Sequence, residues 1–182
     1  MKKEIFDKDT GRSRKEGMDW FSIFASATVL AIILFILLNF VVLLGNIPTT
    51  SMDPTLPSGT YCALNRLAYK GKEPVRGDIV AFRLPDCREM HYIKRIVGLP
   101  GETVEIIDGY VYIDGEPLDE PYIVHRDEGS YGPYEIPEGH YLMLGDNRKD
   151  SNDARKWLDP FVPGDDILGK YLFTYLTVGG ED

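Results

Sequence analysis

Thr49-Thr50-Ser51-Met52-Asp53 sets a serine among hydroxyls and just ahead of a proline turn, shortly after 24 residues that carry no charge. A serine hydroxyl becomes a useful nucleophile only when a neighbouring base takes its proton. Histidine is the usual partner, and α/β hydrolases set the serine in G-x-S-x-G; residues 49–53 do not have that form. His91, His125 and His140 stand in no distinctive context, and with Cys62 and Cys87 they make no spacing typical of zinc, so no metal is expected. The remaining candidate base is Lys94, which interrupts the apolar strand pattern Tyr92-Ile93-Lys94-Arg95-Ile96-Val97. A period of two puts Tyr92, Lys94 and Ile96 on one face, opposite His91, Ile93, Arg95 and Val97. Such a lysine is either a solvent-facing guard on an edge strand or a buried amine.

The two alternatives differ in chemistry. A free lysine, with a pKa of about 10.4, is neutral in only roughly one molecule in 2,500 at pH 7. Desolvation among apolar side chains disfavours the charged form, and a value near 8 would correspond to ~3 kcal/mol against the ammonium. A lysine so shifted could deprotonate Ser51.

The elements that must position these residues begin with Phe21 to Leu44, which lacks Lys, Arg, Asp, Glu, His, Pro and Gly. As a helix it would reach about 36 Å, against a hydrocarbon core of about 30 Å. It is too long for the apolar core of a cleaved leader, and Gly45-Asn46-Ile47 is a poor cleavage exit. Six basic residues (Lys2, Lys3, Lys8, Arg12, Arg14, Lys15) precede the run, and none follows before Arg66. This bias places the N-terminus in the cytoplasm. The expected organisation is a cytoplasmic tail over 1–20, a transmembrane helix over 21–44 and an extracytoplasmic catalytic domain over 45–182.

The formal net charge is −9, and the acidic excess lies after residue 44 without a basic patch, so nucleic acid is excluded as a partner. All 12 prolines and 16 of the 18 glycines also follow residue 44, which predicts short strands and turns. Strands are expected at Asp78–Leu84, His91–Val97 and Tyr141–Leu144, with a last pair within Leu168–Val178 and Gly169 between or beside them. The clearest hairpin joins Thr103–Ile107 to Tyr110–Ile113 through Asp108-Gly109, a type I′ signature. Residues 116–140, acidic and rich in Pro, Gly and Tyr, read as a surface loop or flap. The fold class is mainly β, a β-barrel or sheet body behind one N-terminal helix. Cys62 and Cys87 could pair outside the cell or be two buried thiols.

Four blocks then carry a resemblance: Thr50-Ser51-Met52-Asp53-Pro54-Thr55-Leu56, Arg76–Phe82, Tyr92–Gly101 and Gly145–Arg155. In order, behind an anchor, they closely resemble the motifs of bacterial type I signal peptidases, over nearly all of residues 20 to 175. The resemblance implies a signal-peptidase-like fold and a Ser-Lys dyad at Ser51 and Lys94. Lysine, in place of histidine, points to the bacterial branch. It also implies an oxyanion site from the Ser51 N–H and the Thr49 hydroxyl, with Ser151 orienting the lysine, Asp153 and Arg155 as a supporting ion pair, and Arg148 bracing the loop. By position, Ile47, Met52, Leu56, Tyr92 and Ile93 would line the pocket for the residue before the scissile bond, and Ala81 with Ile47 the pocket two residues earlier. The implied activity is removal of signal peptides after small residues, through an acyl-enzyme and without a cofactor. The implied partners are signal-peptide-bearing preproteins and the lipid bilayer, with the secretion machinery open as a third. A related Ser-Lys core occurs in self-cleaving repressors, but Phe21–Leu44 argues against that reading. A non-catalytic, membrane-tethered substrate holder is the alternative, and it would be expected to lose Ser51 or Lys94.

Overall fold

A computed structural model describes residues 5, 6, 13, 14, 19–84 and 87–178, without the side chains of residues 5, 6, 13, 14 and 87–89. Most of the expected 1–20 tail therefore lies outside the described residues. The chain divides into two units, Met1–Leu38 and Asn39–Asp182.

In the first unit, β1 (Ile5–Phe6) pairs antiparallel with β2 (Ser13–Arg14), ahead of helix α1 (Trp20–Ile36). The Asp19 side chain caps α1 by accepting from the Phe21 N–H. Ser26 and Thr28 donate to carbonyls one turn back, Ser22 O and Phe24 O, both at 2.8 Å, so these two hydroxyls are satisfied within the helix. A π-helical turn, Leu37–Val41, continues α1. Trp20–Val41 has 22 residues, a mean hydropathy of 2.7 and no buried side chain, and it is long and apolar enough to cross a membrane. The helical stretch stops at Val41, three residues before the apolar run does. Val42–Leu44 belong to β3 (Val42–Ile47), because their main chain pairs in unbroken register with β4 (Thr60–Asn65).

The second unit is mainly β, as the distribution of Pro and Gly predicts. The remaining strands are β5 (Ile79–Leu84), β6 (Cys87–Gly98), β7 (Thr103–Ile107), β8 (Tyr110–Ile113), β9 (Glu116–Pro117), β10 (Tyr131–Glu135), β11 (His140–Leu144), β12 (Phe161–Pro163) and β13 (Ile167–Thr177). A seven-stranded antiparallel sheet runs β12-β11-β6-β5-β13-β4-β3, and a four-stranded one runs β10-β7-β8-β9.

The central strand β5 is covered on both faces. Ile79 and Ala81 pack with Ile47, Met52, Leu56, Cys62 and Leu64, while Val80 and Phe82 pack with Ile96, Tyr141, Met143 and Val162. A third cluster joins the small sheet to the ends of β6 and β11 through Val97, Val104, Ile106, Val111, Leu142 and Leu144. Burying alternate residues in separate clusters fixes the register, since a one-residue slip would exchange the two sets. Cys62 is a buried free thiol; the Cys87 side chain lies outside the described residues.

Two local expectations need correction. Leu168–Val178 does not form two strands. β13 is one strand that pairs with β5 through Ile167–Lys170 and with β4 through Lys170–Thr177. Gly169 serves close approach rather than a turn, since a Cβ there would lie 2.8 Å from Asn65 O. Residues 116–140 are also more than a surface loop: Tyr131–Glu135 adds to β7, Tyr131 and Tyr134 pack on the small-sheet core, and Glu120 and Ile136 are buried.

The β7–β8 turn has Asp108 at φ 49° and Gly109 at φ 79°, both positive as a type I′ turn requires. A Cβ on Gly109 would also lie 2.1 Å from Asp127 O, whereas one on Gly115, at φ 85°, meets nothing within 4 Å. Gly115→Ala should therefore cost only the conformational penalty, ~1–2 kcal/mol, and Gly109→Ala distinctly more. Urea unfolding of the detergent-solubilised chain measures both, and equal losses would show that the contact with Asp127 carries no weight.

Candidate active site

Ser51 sits in a run of turns between β3 and β4. The Asp53 N–H donates to Thr50 O at 3.0 Å, and the Leu56 N–H donates to Met52 O at 2.8 Å. Met52 and Leu56 are 0% and 1% exposed, so they bolt this turn into the core beneath β3–β5. Lys94 comes from β6, where it pairs with Val80 of β5. Its side chain is 3% exposed and that of Ser51 5%, and Lys94 Nζ lies 2.5 Å from Ser51 Oγ. Burial pushes the Lys94 amine down to about 8; the Asp153 and Asp146 carboxylates oppose that shift and Arg155 adds to it. Thr49 Oγ1 is 3.3 Å from Ser51 Oγ.

The segment 145–155 forms the floor beneath this pair. Gly145 has no room for a side chain, because a Cβ would lie 2.3 Å from Ser151 Oγ and 2.5 Å from Ser51 O. Its N–H donates to Asp153 Oδ2 at 3.0 Å, and its carbonyl accepts from Arg148 Nε at 3.0 Å. The Asn147 N–H donates to Ser51 O at 3.1 Å, and Asn147 Nδ2 donates to Thr50 O at 3.2 Å. Thr50 Oγ1 donates to Asp150 Oδ2 at 2.6 Å.

Buried ion pairs hold the floor in place. Arg155 Nε and Nη2 each donate to Asp153 at 2.8 Å, and Arg155 Nη2 also reaches Arg148 O. Burial alone would raise the Asp153 carboxyl, but hydrogen bonds and charge from Arg155, with the Gly145 N–H, hold it below the usual carboxylate range. Arg95 forms a two-point pair with Asp146 at 2.8 and 2.6 Å, and Asp146 accepts from Thr55 Oγ1 at 2.6 Å. This ties β6 to the Ser51 turn.

A groove of about 740 Å³ opens beside Ser51 and Lys94. Its apolar wall includes Leu43, Ile47, Cys62, Leu64, Ala81, Tyr92 and Ile93, and its polar end includes Thr49, Thr50, Asp150, Ser151, Asn152 and Lys156. Of the residues implied to bind substrate, Ile47, Ala81, Tyr92 and Ile93 line this groove. Met52 and Leu56 do not; they point into the core, where they fix the turn that carries Ser51. Ser151 lines the groove too, but it does not bond Lys94: its Oγ is buried close enough to favour the Asp153 carboxylate, yet has no hydrogen-bond partner of normal geometry. Asp153 pairs with Arg155, and Arg148 Nε donates to the Gly145 carbonyl within the same segment. The close approach of Gly145 and the anchors at Asp146, Asn147 and Thr50 were not anticipated. Gly-Asp-Asn reads in sequence as an ordinary turn, and only the invasion of the Gly145 Cβ position by Ser51 and Ser151 marks it as more. Among the described residues no group of three or more His, Cys, Asp or Glu could hold a metal.

Residues 18–176 match the family model described as signal peptidase, peptidase S26. A probable signal peptidase I-2 from Synechocystis sp. is 39% identical over 137 residues, covering 72% of this chain and 62% of that protein. Signal peptidase IB from Staphylococcus aureus strain Mu50 is 33% identical over 180 residues, covering 89% of this chain and 91% of the relative. A crystal structure of a signal peptidase I from Enterococcus faecalis V583 is similar over 54% of this chain and 97% of that one, with 34% identity and a TM-score of 0.48. With a serine and a buried lysine in contact at one end of an apolar groove, and with the family match running from the helix through β13, this chain belongs to the signal peptidase family, peptidase S26.

Proposed function

We propose that this chain is a membrane-anchored serine endopeptidase that removes signal peptides from secreted preproteins, with Ser51 as nucleophile and Lys94 as general base. The observation that carries the reading is the 2.5 Å contact between a buried Lys94 Nζ and Ser51 Oγ at the groove. With a pKa of about 8, roughly one lysine in ten is neutral at pH 7, about 250 times the fraction of a free side chain. The neutral amine takes the Ser51 proton as Oγ attacks the scissile carbonyl carbon. The Ser51 N–H and the Thr49 hydroxyl stabilise the oxyanion. Collapse breaks the C–N bond, the leaving amine takes the proton back from Lys94, and water then hydrolyses the acyl-enzyme with Lys94 again acting as base.

Ile47, Ala81, Tyr92 and Ile93 give the groove beside Ser51 an apolar wall, which supports selection of small apolar side chains. β3 is an end strand of its sheet, so its outer main chain can receive an extended substrate as an added strand. The apolar helix and the preceding basic residues support one membrane pass with the N-terminus in the cytoplasm and the groove on the far side. Secreted preproteins then arrive on the side where Ser51 lies.

Purified full-length protein in detergent should cut a preprotein after a small-x-small site, and Ser51→Ala and Lys94→Ala should each lower kcat by at least ~10³. Undiminished cleavage by Lys94→Ala would remove lysine as the base. The wild-type kcat/KM should rise about tenfold per pH unit below pH 8 and level off above it; a flat profile from pH 6 to 9 counts against a neutral amine. The same shift has a stability consequence. The folded lysine titrates near 8 against an ordinary 10.5, so the unfolded chain binds more protons between those values and stability rises with pH across that window. Below pH 8 the full penalty applies. Lys94→Met should therefore be more stable than wild type at pH 7, by up to ~3 kcal/mol, with the gap closing toward pH 10.5. Unfolding curves at pH 7 and pH 10 would show an equal gap at both if the amine were not desolvated.

A further inference from the structure

Glu120 lies between β9 and β10, in the stretch whose composition predicts a surface loop, yet it is 6% exposed. Both carboxylate oxygens meet Arg148: Nη1 donates to Oε2 at 3.1 Å and Nη2 donates to Oε1. Tyr122 OH adds a third bond to Glu120 Oε1 at 2.9 Å, and the Tyr122 ring lies 3.9 Å from the Arg95 guanidinium, which is itself paired with Asp146. Arg148, 2% exposed, also donates from Nε to the Gly145 carbonyl at 3.0 Å.

Gly145 is the narrowest point under the nucleophile. Its main chain lies so close to Ser51 O and Ser151 that no Cβ fits. Its two polar groups have separate anchors: Asp153 takes the N–H, and Arg148 fills the carbonyl. A guanidinium stays charged at any working pH, and in a buried site it turns toward whatever carboxylate is available. Glu120 thus decides where the Arg148 fork points, and through it where the Gly145 carbonyl sits.

We infer that Glu120 is a positioning residue for Ser51, acting through Arg148: its buried carboxylate orients the guanidinium that holds Gly145, and hence the nucleophile turn, in register with Lys94. The inference rests on the peptidase reading above. Glu120 and Arg148 line no part of the groove, so their effect falls on turnover rather than on substrate binding. The second anchor at Asp153 remains when Glu120 is altered, so the floor shifts without dissolving.

The test measures kcat and KM on a preprotein for full-length wild type, Glu120→Gln, Glu120→Asp, Arg148→Gln and the Glu120→Gln/Arg148→Gln double variant, with Ser51→Ala as the blank and near-UV circular dichroism to establish folding. Glu120→Gln should lower kcat about 10- to 100-fold with KM within about twofold, as expected for a residue outside the groove. Glu120→Asp keeps the charge on a shorter arm and should fall between Gln and wild type; it decides the matter if Glu120→Gln does not fold. The double variant should be no slower than Arg148→Gln alone, because Glu120 has no work left once the guanidinium is gone. Wild-type turnover in folded Glu120→Asp and Glu120→Gln overturns the inference, as do losses that simply add in the double variant or a rise in KM that accounts for the whole effect. Wild type that fails to cut where the Ser51→Ala blank also fails refutes the peptidase reading itself, and this inference with it.

Discussion

An amine buried to 3% exposure, 2.5 Å from a serine oxygen, is the constraint on which the rest of the structure depends. Taking an ammonium out of water is costly, and the cost is relieved when the group gives up its proton. The protein therefore needs a site dry enough to favour neutral Lys94, with carboxylates near but not bonded to it. Asp153 and Asp146 oppose the shift electrostatically, yet each carboxylate is occupied by an arginine: Asp153 by Arg155, and Asp146 by Arg95. With its nearest acids engaged elsewhere, Lys94 is left facing Ser51.

That arrangement explains why so many charges are buried around one loop. Arg148, Arg155 and Asp153 are all buried, and Asp146 is 0% exposed. Isolated, any one would be strongly destabilising; paired and hydrogen-bonded, they form a rigid floor whose value lies in geometry more than in net stability. The main chain of Gly145 is the point at which this floor touches the Ser51 turn. Met52 and Leu56 hold the turn from the other side by packing into the core with Ile79 and Ala81. Ser51 is thus gripped between an apolar cluster and an ionic one, and neither side alone would fix its position.

The sheet does related work on a larger scale. β5 buries both faces and pairs with β6 so that Ala81 lies opposite Ile93 and Val80 opposite Lys94. The same pair of strands supplies both the lysine and part of the groove wall, which couples the chemistry to the shape beside it. The small sheet and the segment beside it also reach the site. The β7–β8 turn packs on Asp127, which binds Arg155, and the segment carrying Glu120 binds Arg148.

The local patterns were legible before any coordinates. An uncharged apolar run specifies a helix long enough for a membrane, Asp108-Gly109 specifies its hairpin turn, and Lys94 stands out as a cation inside an apolar strand, although its period suits a surface guard and a buried amine alike and only the fold brings it to Ser51. Those signals act over a few residues, through backbone dihedrals and side-chain period. Where helix yields to strand at Val42 was not legible, because the apolar composition of Val42–Leu44 suits a helix and a strand alike and only pairing with β4 decides. Nor was the burial of Glu120, whose acidic, Pro-rich neighbourhood reads as solvated surface until Arg148, 28 residues away, supplies the opposite charge. Thr50 meets Asp150 across 100 residues and Thr55 meets Asp146 across 91. Contacts of that span cost chain entropy that only the assembled core repays, so their partners are chosen by packing and desolvation in the folded state rather than by any local preference of the chain.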